Sequence, residues 1–78
     1  MLDLKEVLYA ISRSIVDNPD EVVVTQAEDG DTVTLTLSVA PDDMGIVIGR
    51  RGRIAKAIRT VMKAAANTVG KKVIVDIR

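Results

Sequence analysis

Hydrophobic residues recur along the first part of the chain at the spacing of a helix. They predict one amphipathic helix over residues 2–17, with a buried face of Leu4, Val7, Leu8, Ile11 and Ile15. Asp3 suits the start of this helix, and Asn18-Pro19 ends it because proline disfavours helical backbone at the preceding residue. A second face is either the fringe of the core or a contact surface, and consists of Leu2, Tyr9 and Val16.

In the next part of the chain hydrophobic residues recur at every second position, which is typical of strands. Residues 21–28 are rich in Val and Thr and predict a strand, and Asp29-Gly30 is typical of a two-residue hairpin. In residues 32–39 apolar side chains alternate without exception with Thr and Ser. This alternation predicts a strand with one buried and one solvated side, so we expect the sheet to be covered on a single face.

A Pro-Asp-Asp run at residues 41–43 favours a short helix that continues through Ile48. Asp42 and Asp43 are adjacent, and adjacent helical side chains point about 100° apart, which disfavours a catalytic carboxylate pair. We therefore expect both carboxylates to cap the positive end of the helix dipole.

A longer helix and a last strand complete the predicted elements. The helix covers residues 53–69, ends at the natural C-cap Gly70, and buries a stripe of Ile54, Ile58, Val61, Met62, Ala65 and Val69. The strand covers residues 72–77 and turns Val73, Val75 and Ile77 to one side.

This order of elements predicts an α+β fold with two layers. The first two strands form an antiparallel hairpin, whereas the second and third are joined through helices and should be parallel, with a right-handed crossover. We expect one domain over residues 1–78, with all helices on one face of a mixed three-stranded sheet.

The turn between the last two predicted helices carries the clearest chemistry. Gly49 and Gly52 flank two arginines, Arg50 and Arg51, and Arg53 follows. Glycine permits positive φ and a close approach of another backbone. Amides at the start of the next helix, together with forked arginine donors, form an anion site suited to a sugar-phosphate backbone. A purely structural turn is the alternative, but it does not require paired arginines between its glycines.

Charge is divided between the two halves of a chain that is neutral overall. Residues 1–48 hold two basic and ten acidic residues, whereas residues 49–78 hold nine basic and one acidic residue. Six of the basic residues lie between Arg50 and Lys63 without an acidic one among them. This asymmetry favours a polyanionic partner over the alternative of a merely solvated helix face.

The residue types that are missing exclude several classes of function. The chain has no Cys and no His, so we expect no disulfide, no metal site, no cofactor and no enzymatic activity. Tyr9 is the only aromatic residue, which excludes base binding on aromatic platforms. No signal peptide and no stretch long enough to span a membrane is visible, so we expect a cytoplasmic protein.

The order of elements, with IGRRGRI at residues 48–54 between two helices, resembles the type II KH domain over essentially the whole chain. Residues 39–45 together with IGRRGRIAKAIR at 48–59 look most like the small bacterial KhpA-type family, whose members consist of one KH domain. The resemblance implies a groove that holds about four unpaired nucleotides of RNA. Its implied partners are single-stranded RNA, a second copy of the chain, and a larger KH-containing RNA-binding protein.

By this resemblance, the groove lies between the glycine turn with its two helices and the final strand with the loop before it. The turn would bind phosphates, isoleucines on both helices would form an aliphatic floor, and lysines would border the groove. The implied residues are Gly45, Ile46, Ile48, Gly49, Arg50, Arg51, Gly52, Arg53, Ile54, Lys56, Lys71 and Lys72. The family points to a post-transcriptional regulator or RNA chaperone that works as a dimer.

Two alternatives remain at this point. A helix-turn-helix reader of duplex DNA shares the helix-glycine-helix outline, but it rarely carries a sheet and uses base-reading side chains early in its second helix. A protein-interaction or assembly subunit with little affinity for nucleic acid is the other. For the RNA-binding dimer, the candidate pairing surfaces are the Leu2, Tyr9 and Val16 face and the helix end around the turn.

Overall fold

Residues 2–78, which the computed structural model describes, form three α-helices and three strands. The elements are α1 (Leu4–Ile15), β1 (Val23–Asp29), β2 (Thr32–Ser38), α2 (Met44–Ile48), α3 (Arg53–Thr68) and β3 (Lys72–Ile77). One-turn 3-10 helices lie at Pro19–Glu21, Pro41–Asp43 and Arg50–Gly52. The predicted order of helices and strands is therefore confirmed.

The sheet has β2 at its centre and the strand order β1-β2-β3. β1 is antiparallel to β2, with Val24 opposite Leu37, and β3 is parallel to β2, with Val75 opposite Leu35. The parallel pair is joined through α2 and α3, since parallel strands need a long crossover connection. The α+β class and the mixed three-stranded sheet are confirmed.

The core lies between one face of the sheet and the helices. Almost no solvent reaches the apolar side chains Leu8, Val33, Leu35, Leu37, Val47 and Met62, which come from β2 and from all three helices. On the other face of the sheet, Val23 and Ile74 are exposed and the threonines of β2 are half-buried. The two-layer arrangement follows from the strict alternation in β2.

α1 is shorter than the prediction at both ends. Asp3 caps it by accepting hydrogen bonds from the amides of Lys5 (3.0 Å) and Glu6 (3.4 Å). The buried face includes Ser12, whose hydroxyl donates to the carbonyl of Leu8 at 2.8 Å, whereas Ile15 is exposed. A serine can lie in a core when the preceding helical turn satisfies its hydroxyl.

The buried stripe of α3 also differs from the prediction. Ile54 and Val61 are exposed, and Ala55 and Ala66 are buried beside Ile58 and Met62. Small side chains allow a helix to approach its neighbours closely, and a pattern that ranks residues by hydrophobicity alone undervalues alanine. The exposure of Ile54 matters for the site, because Ile54 adjoins the glycine turn.

The hairpin and the end of α3 refine two predicted turns. Asp29 still pairs with Thr32, so the two loop residues are Gly30 and Asp31 rather than Asp29 and Gly30. Gly70 follows α3 with φ +69, the amide of Lys71 donates to Ala66 O at 2.9 Å, and the Gly70 amide donates to Asn67 O at 3.2 Å. These two bonds are those of a Schellman motif, which satisfies the last carbonyls of the helix.

Candidate functional site

The turn between α2 and α3 has an unusual backbone. Gly49 has φ 71 and ψ 179, Arg51 has φ 56 and ψ 28, and Gly52 has φ 71 and ψ 16. Arg51 is the one non-glycine residue with positive φ in residues 2–78. Left-handed backbone costs an L-residue about 1–2 kcal/mol. Such outliers concentrate at functional sites, where the surrounding structure holds them in place.

Gly49 is required by the space around it as well as by its backbone angles. A Cβ at this position would lie 2.9 Å from Ile54 Cβ and 3.0 Å from Ile54 N, with Ile54 Cγ1 closer still. The Gly49 amide donates to Gly45 O at 2.9 Å and closes α2. The chain therefore reverses at Gly49 with the Ile54 side chain packed directly against the turn.

The cations around the turn are exposed and form no ion pair with a carboxylate of residues 2–78. Arg50, Arg51, Arg53 and Lys56 are all exposed. The only ion pair within residues 2–78 is formed elsewhere, between Lys71 and Glu28. No side chain in this part of the chain caps the start of α3 at Gly52. The positive end of a four-turn helix and the unpaired guanidinium groups therefore face solvent together, an arrangement that attracts anions.

Three isoleucines beside this turn are also exposed. The exposed fractions are 36% for Ile46, 41% for Ile48 and 40% for Ile54. Gly45 lies on α2 with Ile46 and Ile48, is exposed, and has open space where a Cβ would be. Leaving a large aliphatic side chain in water forgoes part of the stabilisation that burial provides. The turn thus combines free positive charge with an aliphatic surface.

The structure separates Lys71 and Lys72 from the turn by the length of α3. This helix has 16 residues, which corresponds to about 24 Å. Lys71 is half-buried and pairs with Glu28 at 3.3 Å, whereas Lys72 is exposed. An open cavity of about 540 Å³ lies at this end of α3, and its lining consists of Thr32, Lys63, Ala66, Asn67, Lys71, Lys72, Val73 and Ile74.

A row of cations on α3 connects the turn to this cavity. Lys56, Arg59 and Lys63 fall within about 60° of one another around the helix axis. Arg59 Nε also donates to the carbonyl of Val75 in β3 at 3.2 Å. The helical spacing in the sequence indicates the shared face, but it gives no sign of this contact with a strand sixteen residues away.

Asp43 does not cap a helix, contrary to the prediction. Its side chain is fully buried and accepts hydrogen bonds from the Asp17 amide (3.2 Å), the Asn18 amide (3.0 Å) and Asn18 Nδ2 (3.1 Å). Asp42, its neighbour, is exposed. Asp43 therefore fixes the start of α2, which leads into the turn, to the segment that follows α1.

Within residues 2–78 there is no group of three or more acidic side chains placed to hold a metal ion. In the same residues, no helix has the length and apolar character to cross a bilayer.

A protein-family model described as "KhpA/KhpB, KH domain" matches residues 5–77. The chain belongs to the KhpA/KhpB KH-domain family. It is 54% identical over 74 residues to a Clostridium acetobutylicum protein named "RNA-binding protein KhpA", covering 95% of this chain and 99% of that protein. A protein of the same name from Aquifex aeolicus is 42% identical over 77 residues, covering 99% and 98% of the two chains. The KhpA-type resemblance is thereby confirmed.

Solved structures of Era share this KH fold. One, crystallised with MgGDPNP and nucleotides 1506–1542 of 16S ribosomal RNA, superposes with a TM-score of 0.68 at 15% identity. That match covers 95% of this chain and 28% of Era. Aquifex aeolicus Era superposes with a TM-score of 0.62 at 19% identity, covering 99% of this chain and 31% of Era. At these identities the likeness shows the fold alone.

Proposed function

We propose that this KhpA/KhpB-family chain binds single-stranded RNA, about four unpaired nucleotides at a time, in a groove beside the Gly49–Gly52 turn. The observation that carries the proposal is the turn itself, where a left-handed arginine and unpaired cations adjoin exposed isoleucines. The names of the relatives support it, since both are called RNA-binding proteins. The role is binding rather than catalysis.

Each part of the surface has a separate task in this proposal. Amides of the turn and the exposed Arg50, Arg51 and Arg53 contact phosphates, because guanidinium groups pair with phosphate through two parallel hydrogen bonds. Bases that are not paired can lie on the aliphatic floor of Gly45 and its neighbouring isoleucines, which replaces the aromatic platforms that the chain lacks. Lys56 extends the positive wall along α3.

Reversing the charge of Arg50 and Arg51 tests the proposal. We expect R50D/R51D to abolish binding of single-stranded RNA, because two positive charges beside phosphates become negative. Both side chains are exposed, so the free energy of unfolding should change by no more than about 0.5 kcal/mol. The control K5D reverses an exposed charge on α1, outside the Tyr9–Arg13 contact, and should retain affinity. Unchanged affinity in R50D/R51D, with an intact circular dichroism spectrum, would contradict the site.

Salt and strandedness provide an independent test of the groove. Contacts with about four phosphates predict a log–log slope of affinity against salt no steeper than about −3 for a single strand. The aliphatic floor must reach base edges, so unpaired RNA should bind more tightly than duplex. Tighter binding to duplex DNA with a much steeper slope would favour the helix-turn-helix alternative.

We further propose that the chain acts as a dimer in post-transcriptional regulation or as an RNA chaperone, with a second copy or with a larger KH-containing protein. Joining two weak sites raises avidity by about 10² to 10⁴ without a new contact to RNA. Leu2 and the ring of Tyr9, with Arg13 5.2 Å above it, offer one surface for pairing. Sedimentation at micromolar concentration tests self-pairing, and Y9R tests this surface. A monomer that binds RNA well by itself would remove the reason for a homodimer.

A further inference from the structure

Arg59 occupies a special position between α3 and β3. These two elements are the opposite walls of the groove proposed above, and the hydrogen bond from Arg59 Nε to Val75 O spans them. The hydrogen bond at Nε restricts the guanidinium group in the free protein. Less side-chain entropy is therefore lost when a ligand binds to it. An arginine that only added charge to the surface would not need this anchor.

The backbone of β3 shows which groups lie beside this guanidinium. Lys72 N donates to Asp31 O and Arg78 N donates to Leu37 O, so the even-numbered residues of β3 direct their backbone groups toward β2. The odd-numbered residues therefore direct theirs to the open edge of the sheet, where no strand within residues 2–78 adjoins β3. Val75 presents its N–H and its C=O at that edge, and Arg59 already occupies the C=O.

The edge near Arg59 is consequently rich in donors. Arginine has five N–H donors, and the bond to Val75 uses one of them. Four remain on the two Nη atoms, whose ends form a planar fork. No carboxylate lies within ion-pair distance of Arg59 in residues 2–78, since the only pair there joins Lys71 to Glu28. Each odd-numbered residue of β3 presents one N–H and one C=O at this edge, so the guanidinium group leaves donors in excess there.

We infer that Arg59 is a specificity-determining residue that favours a base with two neighbouring acceptors and disfavours adenine. Cytosine offers N3 and O2 side by side, a pair that matches the Nη fork. Adenine places its N6 amino group beside both N1 and N7, so at either of these edges a donor would face one arm of the guanidinium fork. A buried donor without a partner is costly. The inference rests on the proposed function, because it assigns the base preference of that groove.

Two oligonucleotides that differ only in their central bases test the inference. We would measure binding of UUUCCCCUUU and UUUAAAAUUU to the full chain by fluorescence anisotropy at neutral pH. The wild-type chain should favour the cytosine strand by about tenfold, as expected for one good bidentate contact. In R59K and R59Q the ratio of affinity for the cytosine strand to affinity for the adenine strand should be close to one, since neither side chain presents the fork. R59K retains the charge and so should retain most affinity for the adenine strand.

Lys63 provides the matched control, because it lies on the same face of α3. K63Q removes one charge and should lower the affinity for both strands by the same factor. The ratio of the two affinities should therefore be unchanged. Equal affinity of the wild-type chain for the two strands, or a preference for adenine, would overturn the inference without any variant. A ratio retained in R59Q would overturn it too. Failure of the proposed function is distinct: the wild-type chain would bind neither strand, or R50D/R51D would bind both like wild type.

Discussion

Both ends of α3 are turns built on glycine with positive φ, yet the two turns differ in almost every other respect. At Gly70 a Cβ would have open space, and two backbone hydrogen bonds satisfy the end of the helix. At Gly49 a Cβ would run into Ile54, and the neighbouring Arg51 is itself left-handed. The first turn is explained by the needs of the helix. The second exceeds those needs, and the proposed binding of RNA would account for its shape.

The substitution Gly49→Ala should reveal the largest difference in stability between the two turns. Its φ and ψ lie in a region that is essentially restricted to glycine, and the new methyl group would displace Ile54. We expect the free energy of unfolding to fall by at least about 3 kcal/mol. Urea denaturation measures this. Gly45→Ala is the control, since Gly45 is helical with space for a methyl group, and it should be neutral or slightly stabilising. A loss below about 1 kcal/mol in G49A would contradict the comparison.

Asp43→Asn tests whether the helix that enters the strained turn needs its buried anchor. The carboxylate accepts three hydrogen bonds, two of them from backbone amides, and an amide side chain would replace one acceptor by a donor. Hydrogen bonds to a charged group contribute about 1.5–3 kcal/mol, so we expect a loss of about 2 kcal/mol. The exposed neighbour serves as control, with D42N expected within about 0.5 kcal/mol of wild type. Equal effects at the two positions would show that the anchor is dispensable.

Gly70→Ala should have a smaller effect, because the only penalty is the left-handed backbone of the C-terminal turn. We expect a loss of about 1 kcal/mol in the free energy of unfolding. Affinity for single-stranded RNA should be unchanged, whereas G49A should lose it. If G70A lowered RNA affinity as much as G49A does, the two turns would not differ in function.

The ion pair next to Gly70 should matter least. Lys71 and Glu28 are both partly exposed, and surface pairs of this kind contribute little after screening. A double-mutant cycle with K71A and E28A should give a coupling energy of about 0.5 kcal/mol or less. A markedly larger value would mean that this end of α3 also depends on a specific side-chain contact.

The helices and strands are predictable from sequence because the spacing of their hydrophobic residues is visible over short stretches. β2 alternates without error and β3 was predicted with its observed bounds, and the glycine turn stands out through residue type alone. The pairing of strands followed from chain connectivity. Nothing in these predictions depended on which distant residues meet.

The parts that sequence did not reveal are contacts between distant segments. Asp43 was expected to cap its own helix, but its partner Asn18 lies 25 residues away. Arg59 was visible as one of three cations on a helix face, whereas its bond to Val75 was not. Local pattern determines which side of a helix is polar. It does not determine what that side touches once helix and sheet pack together.

The parallel pairing of β2 with β3 has a consequence for how the chain folds. Everything that defines the strained turn lies in the segment between these strands, so pairing β3 with β2 closes a long loop that contains α2, the turn and α3. Non-local pairing of this kind raises contact order and slows folding. β3 also carries Val75, whose carbonyl accepts the hydrogen bond from Arg59. We therefore expect the proposed RNA-binding groove, which needs both α3 and β3, to form late in folding.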